Sequence, residues 1–164
     1  MQEIIISWFS GLPSELATFL TAMMPITELR ASIPVAIVKY EMHPFWAWFW
    51  SVTGNTIMGG LVMLFVNPVS KLIIERIDFI NRFWNKYIDR IRTKNTEKFE
   101  KWGALALITF VAIPLPATGA FTGAVAASIF RIDFKKAILS LLAGCAIAGI
   151  IVTGITLGFN GIHQ

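Results

Sequence analysis

Two ionisable residues of opposite charge, Glu28 and Arg30, lie in an apolar stretch between Pro25 and Pro34. A carboxylate can exchange a proton or bind a cation, and a planar guanidinium can hold an anionic group through several N–H donors. At positions i and i+2 the two side chains would point apart on a regular helix, but across an irregular turn they can converge on one cavity. Ionisable groups at membrane depth are costly and usually mark a pathway. The alternative is that the two charges only neutralise each other and hold the conformation of the hairpin turn.

Threonines and glycines beside the prolines form a second group of candidates. Thr27 and Thr118 each follow a proline and precede an apolar run, so we expect each hydroxyl to cap a returning half-helix. Two helix N-termini would then point at the middle of the bilayer, where their backbone donors and dipoles favour an anion. The alternative is that Thr118, Gly119 and Gly123 only permit a tight turn and close packing.

The full set of candidate residues for a substrate or ion pathway adds an asparagine, an arginine and the prolines. Asn55 is expected either to line a polar path or to hold helices together. The histidines His43 and His163 lack metal-ligand spacing, and no common catalytic or nucleotide-binding motif is present, so we expect no metal, no cofactor and no enzyme activity. The set is Glu28, Arg30, Thr27, Pro25, Pro34, Pro114, Pro116, Thr118, Gly119, Gly123, Asn55 and Arg131.

The composition predicts an integral membrane protein. Of 164 residues, 55% are hydrophobic and 15% are charged, and the mean hydropathy is +0.66. Soluble domains carry about 25% charged residues, and a domain this small cannot bury such an apolar excess. Nine of the 14 Lys and Arg lie between Lys71 and Lys101, beside apolar segments, so they indicate a cytoplasmic loop rather than a nucleic-acid partner.

Two uninterrupted apolar segments are long enough to cross a bilayer. They are Pro44–Val66 and Ala137–Gly158, and both are rich in glycine. Because small residues let membrane helices approach closely, we expect their glycines to pack against protein.

Two further apolar segments are broken by prolines into short arms. In the first, the arms Leu16–Met24 and Val35–Val38 flank the break at 25–34; in the second, Ala104–Ile113 and Ala120–Phe130 flank 114–119. Each arm is too short to cross alone, which predicts re-entrant hairpins. The alternative for the first is a full span over Ser7–Met24.

The order of these segments predicts an all-α polytopic membrane protein made of two inverted repeats. Each repeat is a re-entrant helical hairpin followed by a transmembrane helix, and a shift of about 90 residues places Gly54 on Gly144 and Gly59 on Gly149. We assign one membrane domain, 1–164, with repeat 1 at 12–66, a connector at 67–101 and repeat 2 at 102–158.

The connector 67–101 has helical periodicity, with isoleucines and aromatics at steps of three and four. It is predicted to be an amphipathic helix on the membrane surface, or alternatively a short coiled-coil contact. Its charge places it, together with 131–136, on the cytoplasmic side of the cell membrane.

The two proline motifs resemble those of the small multidrug export protein family, and more distantly those of the DedA (VTT-domain) membrane proteins. The motifs are PITELRASIP at 25–34 and AIPLPATGAFTGA at 112–124. The resemblance covers about 22–158 and implies inverted hairpin-plus-helix repeats and a transport role. For DedA relatives it also implies movement of lipid phosphates, often coupled to protons.

One difference from DedA proteins is that 112–124 contains no charge, whereas the DedA motif carries arginines there. An anionic headgroup would then depend on Arg30, on the helix N-termini and on Arg131.

Three hypotheses for function follow. The first is a transporter or flippase for an amphiphilic, anionic, lipid-like substrate such as polyprenyl phosphate or phospholipid, coupled to protons or to sodium. The second is an exporter of lipophilic cationic drugs, in which Glu28 meets the substrate. The third is a non-transporting membrane scaffold. The expected partners are membrane lipids, the small substrate and a second copy in a homodimer.

Overall fold

The computed structural model describes residues 11–76, 102–114, 119–130 and 132–162, which form six α-helices and contain no β-strand. In chain order the helices are α1 (Ser14–Met23), α2 (Glu28–Val38), α3 (Pro44–Arg76), α4 (Trp102–Ala112), α5 (Ala120–Ile129) and α6 (Phe134–Ile162). The predicted all-helical class is confirmed.

The first pair of helices, α1 and α2, forms a hairpin on α3. The Phe19 ring lies 6.4 Å from Trp50, Ala22 packs against Gly54, and Ser32 donates a 2.7 Å hydrogen bond to Ser51. Contacts of successive residues of α1 therefore advance along α3, and α2 runs back along α3 towards its start.

The break in this first hairpin is shorter than predicted. It occupies only residues 24–27, and Pro34 lies inside α2, so the placement of Pro34 in the turn is wrong. A proline inside a helix removes one backbone donor, and α2 continues through it because its Ser32 face is packed on α3. In the described part of Ser7–Met24, the alternative full span, residues 11–13 are not helical and α1 starts directly after Pro13, so this segment is not one continuous helix.

The second pair of helices, α4 and α5, matches the predicted arms to within two residues at each end. A Cβ on Gly123 of α5 would lie 2.7 Å from Val111 and 3.4 Å from Leu107, both on α4. The two arms therefore pack directly on one another.

Within the described residues, two helices are long and apolar enough to cross a membrane, over Pro44–Val66 and Phe134–Phe159. Both predicted spans are thereby located. The helix α3 continues without interruption to Arg76, so it includes the first ten residues of the predicted connector. Residues 77–101, the rest of the predicted connector, lie outside the described residues.

The two long helices run antiparallel to one another. Near the start of α3, Trp48 donates a 3.1 Å hydrogen bond to the Ala146 carbonyl and lies against Gly149. Further along α3, Gly59 and Gly60 lie against Leu141 and Ile138, respectively. Contacts that advance along α3 therefore retreat along α6.

One glycine of each long helix packs against the backbone of the hairpin that precedes it. A Cβ on Gly54 would lie 2.5 Å from the Phe19 carbonyl oxygen, and a Cβ on Gly144 would lie 3.0 Å from the Ile108 carbonyl oxygen. These positions correspond in the two halves. Nothing lies within 4 Å of such an atom on Gly154, so the expectation that every glycine of the spans packs on protein is wrong there.

We predict that Gly54→Ala destabilises the protein by about 1–3 kcal/mol, the usual cost of overpacking. The backbone of α1 must move, because the atom that blocks the new methyl group is a carbonyl oxygen. The matched control is Gly154→Ala, which has open space and gains helix propensity. Thermal unfolding of the purified protein in detergent measures both; equal midpoints for the two variants would contradict the packing described.

Candidate functional site

The turn of the first hairpin meets the start of α5 at Glu28. The N–H of Phe121 in the first turn of α5 donates a long hydrogen bond, 3.5 Å, to Oε1 of Glu28. The carboxylate also lies directly against Gly119, so that a Cβ at this position would overlap it. Glu28 therefore occupies the place of an N-cap side chain for a helix that belongs to the other half of the chain.

The backbone of Glu28 is in the left-handed region, with a φ of 48°. That conformation costs a non-glycine residue about 1–2 kcal/mol. Strained residues of this kind cluster at functional sites and persist where the surroundings fix them. Here the conformation directs the carboxylate of a buried side chain, 7% exposed, towards α5.

Arg30 converges with Glu28, as the sequence predicted for an irregular turn. Its Nη1 lies 3.9 Å from Oε2 of Glu28, and its side chain is 23% exposed. Burial disfavours a charged carboxylate, whereas the guanidinium and the N–H of Phe121 favour it. The charge on Glu28 thus depends on two positive centres, the Arg30 side chain and the N-terminus of α5.

The predicted cap at Thr27 is wrong. Its hydroxyl makes no cap hydrogen bond to α2 but donates to the carbonyl of Thr21 at 2.6 Å. The Thr27 hydroxyl therefore satisfies a carbonyl group at the C-terminal end of α1, because the tight turn brings the last carbonyls of α1 within hydrogen-bond distance of it. At α5 the residue before the helix is Gly119, which has no side chain to offer, and Thr118 lies outside the described residues.

Buried hydroxyl and amide groups extend from this junction along α3. Ser32 is bonded to Ser51, and one turn further along α3 lies Asn55, which is 2% exposed with an Nδ2 that has no hydrogen-bond partner. Another turn on, Gly59 lies against Ala120. Asn55 is thus on the α3 face that runs from α2 to the start of α5.

The remaining candidates are distributed around this junction. Pro25 is exposed in the first turn, Pro34 and Pro114 are half-buried, and Gly123 is buried where α5 meets α4. Pro116, Thr118 and Arg131 lie outside the described residues. Among the residues that the structure describes, no three His, Cys, Asp or Glu side chains are placed to hold a metal ion.

This arrangement can exchange one anion for another. An ionised Glu28 satisfies both the N-terminus of α5 and Arg30, whereas a protonated Glu28 loses its attraction to both. The two positive centres would then suit the negative group of another molecule. Sequence reasoning identified Glu28 but missed its role at α5, since a contact across 93 residues leaves no local pattern.

We predict that Gly119→Ala destabilises the native protein more than it destabilises the Glu28→Ala variant. In the native chain the new methyl group overlaps the carboxylate, and in the variant the carboxylate is absent. The double-mutant cycle should give a coupling energy of about 1 kcal/mol or more. Thermal unfolding of the four proteins measures it, and additive effects of the two substitutions would refute the contact.

Comparison with known proteins identifies the family. No curated protein and no solved structure gives a significant match to this chain. The family model described as "Putative small multi-drug export protein" matches residues 28–151, which begin at Glu28 and include both long helices up to Ile151. The family and the two apolar helices together indicate a membrane protein. The chain belongs to the small multi-drug export protein family.

Proposed function

We propose that this protein is a transporter or flippase that moves an amphiphilic, anionic, lipid-like substrate, such as polyprenyl phosphate or phospholipid, across the cell membrane. The observation that carries the proposal is the position of Glu28, a buried carboxylate held between Arg30 and the N-terminus of α5. Buried ionisable groups within membrane segments are costly and mark pathways. The family description, an export protein, agrees with a transport role.

In this proposal the two halves are inverted repeats, and α1–α2 and α4–α5 are re-entrant hairpins. The antiparallel α3 and α6 support the inversion. Each hairpin helix has 10 or 11 residues, which is about 15 Å of helix, half of a hydrocarbon core of about 30 Å. The basic segments 67–101 and 131–136 lie on the cytoplasmic side.

Transport would proceed by competition for the two positive centres. A proton neutralises Glu28, which then no longer competes with the negative headgroup of the substrate for Arg30 and the first N–H groups of α5. When the substrate leaves, Glu28 loses its proton and returns. The two inverted halves would open such a site alternately to the two sides of the membrane. This sequence couples one proton to each substrate molecule moved.

Cysteine labelling tests the membrane arrangement. In a Cys145→Ser background, Gly11→Cys and His43→Cys should react with an impermeant reagent from one side of the membrane, because a re-entrant hairpin begins and ends on the same side. Lys135→Cys should react from the opposite side. Labelling of Gly11→Cys and His43→Cys from opposite sides would eliminate the first re-entrant hairpin.

Reconstitution in liposomes tests the transport proposal. We predict that the protein moves a labelled polyprenyl phosphate and that Arg30→Ala reduces the rate about tenfold or more, since losing a hydrogen bond to a charged group costs about 1.5–3 kcal/mol. Glu28→Gln should transport at a rate that varies less with pH than that of the native protein, and the variation that remains should follow the titration of the substrate phosphate. The exposed Lys39→Ala is the matched control for loss of a positive charge.

The same assay separates the alternatives. Export of a fluorescent lipophilic cation could be retained in Arg30→Ala and abolished in Glu28→Gln. That result would favour the cationic-drug hypothesis over the anionic substrate. Movement of neither compound by folded protein would leave the scaffold hypothesis and reject transport.

A further inference from the structure

An open apolar groove lies between the two arms of the second hairpin, away from the Glu28 junction. It has a volume of about 470 Å³, within the range of small-ligand sites. Alanines at 106, 126 and 127 leave the space between α4 and α5, and aromatic rings line it at Trp102, Phe110 and Phe130. None of the described residues that line the groove carries a charge.

The aromatic side chains of this groove are directed outward rather than into the protein. Trp102 is 66% exposed, Phe130 is 48% exposed and Phe110 is 40% exposed. Exposed apolar surface of this kind needs an apolar partner. A single hydrocarbon chain matches the chemistry of the groove, because its described lining is aliphatic and aromatic.

Positive charge lies next to one end of the groove. Ile132 lines that end, where it packs against Gly103, and the exposed residues Lys135 and Lys136 follow in the first turn of α6. Lys135 and Lys136 follow Ile132 by three and four residues, which span at most about 11 and about 14 Å of chain, so both ammonium groups are within reach of a headgroup there. The nearby Asp133 accepts hydrogen bonds from the backbone N–H groups of Lys135 and Lys136 at 3.1 and 3.3 Å. One carboxylate beside two ammonium groups leaves these three residues with a net positive charge.

We propose that this groove binds one acyl chain of an anionic phospholipid of the bilayer, with the lipid phosphate against Lys135 and Lys136. Apolar lining at one end and basic residues at the other match the two parts of that molecule, and a zwitterionic lipid would gain less from the lysines. The site requires that the second hairpin lies in the membrane. It does not require that Glu28 and Arg30 carry a substrate, so it can hold if the proposed transport fails.

Quenching of Trp102 by brominated lipids tests this site on the full chain in phosphatidylcholine vesicles. The contribution of Trp102 is the difference between the native protein and Trp102→Phe. We expect chain-brominated phosphatidylglycerol to quench Trp102 with an apparent affinity at least about threefold higher than that of brominated phosphatidylcholine, from the attraction of basic residues to anionic lipid.

Two pairs of variants make the test specific to the groove and to its charge. Ala106→Leu combined with Ala126→Leu fills the groove and should bring the affinity ratio to about one, whereas Ala104→Leu, on α4 outside the groove lining, should preserve it. Lys135→Gln combined with Lys136→Gln should likewise remove the preference, and Lys39→Gln should not. Circular dichroism of each variant shows that the helices are formed.

Three results would overturn the proposal. Equal quenching by the two lipids in the native protein would show no selective site. A preference that survives filling of the groove would assign the effect to surface charge alone. If phosphatidylglycerol is not preferred and two copies of the Ala106→Cys variant form a disulfide with one another, a second copy of the chain covers the groove.

Discussion

The contact of the Glu28 carboxylate with the start of α5 is the interaction on which the arrangement of the two hairpins depends. A buried carboxylate needs donors or an opposite charge, and the first N–H groups of a helix need acceptors. Glu28 and α5 meet both needs with one contact, made between segments 93 residues apart. Gly119 permits it, because any side chain there would occupy the space of the carboxylate.

Close packing by glycine brings the two halves near enough for this contact. Gly54 and Gly144 each place a long helix against the hairpin of its own half, whereas Gly59 and Gly149 each face the opposite half. Without a strong hydrophobic effect between helices in lipid, such close backbone approach is a main source of association. Because the two halves make the same kinds of glycine contact at corresponding positions, even a chain this small can bring the starts of α2 and α5 together at Glu28.

Sequence reasoning located the helices well because their signals are local. Long apolar runs identified α3 and α6, and the breaks near Pro25 and Pro114 identified where α1 and α4 end. It failed at two helix features: Pro34 lies inside α2 although proline disfavours helix interiors, and α3 continues past the predicted end of the span at Val66 to reach Arg76. Thr27 has the sequence position of a cap, yet its hydroxyl bonds to α1 because the turn is only four residues long.

The candidate site was predicted in part for the same reason. Glu28 and Arg30 stand out as charges in an apolar segment, and their convergence required only the irregular turn that the prolines predict. The partner of Glu28 could not be read from the sequence, because neither the spacing nor the residue type of Gly119 indicates a carboxylate beside it. The left-handed backbone of Glu28 is likewise visible only in three dimensions.

The central claim is that a substrate anion and the Glu28 carboxylate compete for Arg30 and the N-terminus of α5. The most direct test is the affinity of the purified protein for a short-chain phosphatidylglycerol, whose charge does not change in the neutral range, measured as a function of pH. Competition predicts that affinity rises as pH falls, by up to about tenfold per pH unit for one linked proton, and that Glu28→Gln binds with an affinity independent of pH. An affinity independent of pH in the native protein, or the same pH dependence in Glu28→Gln, would contradict the account.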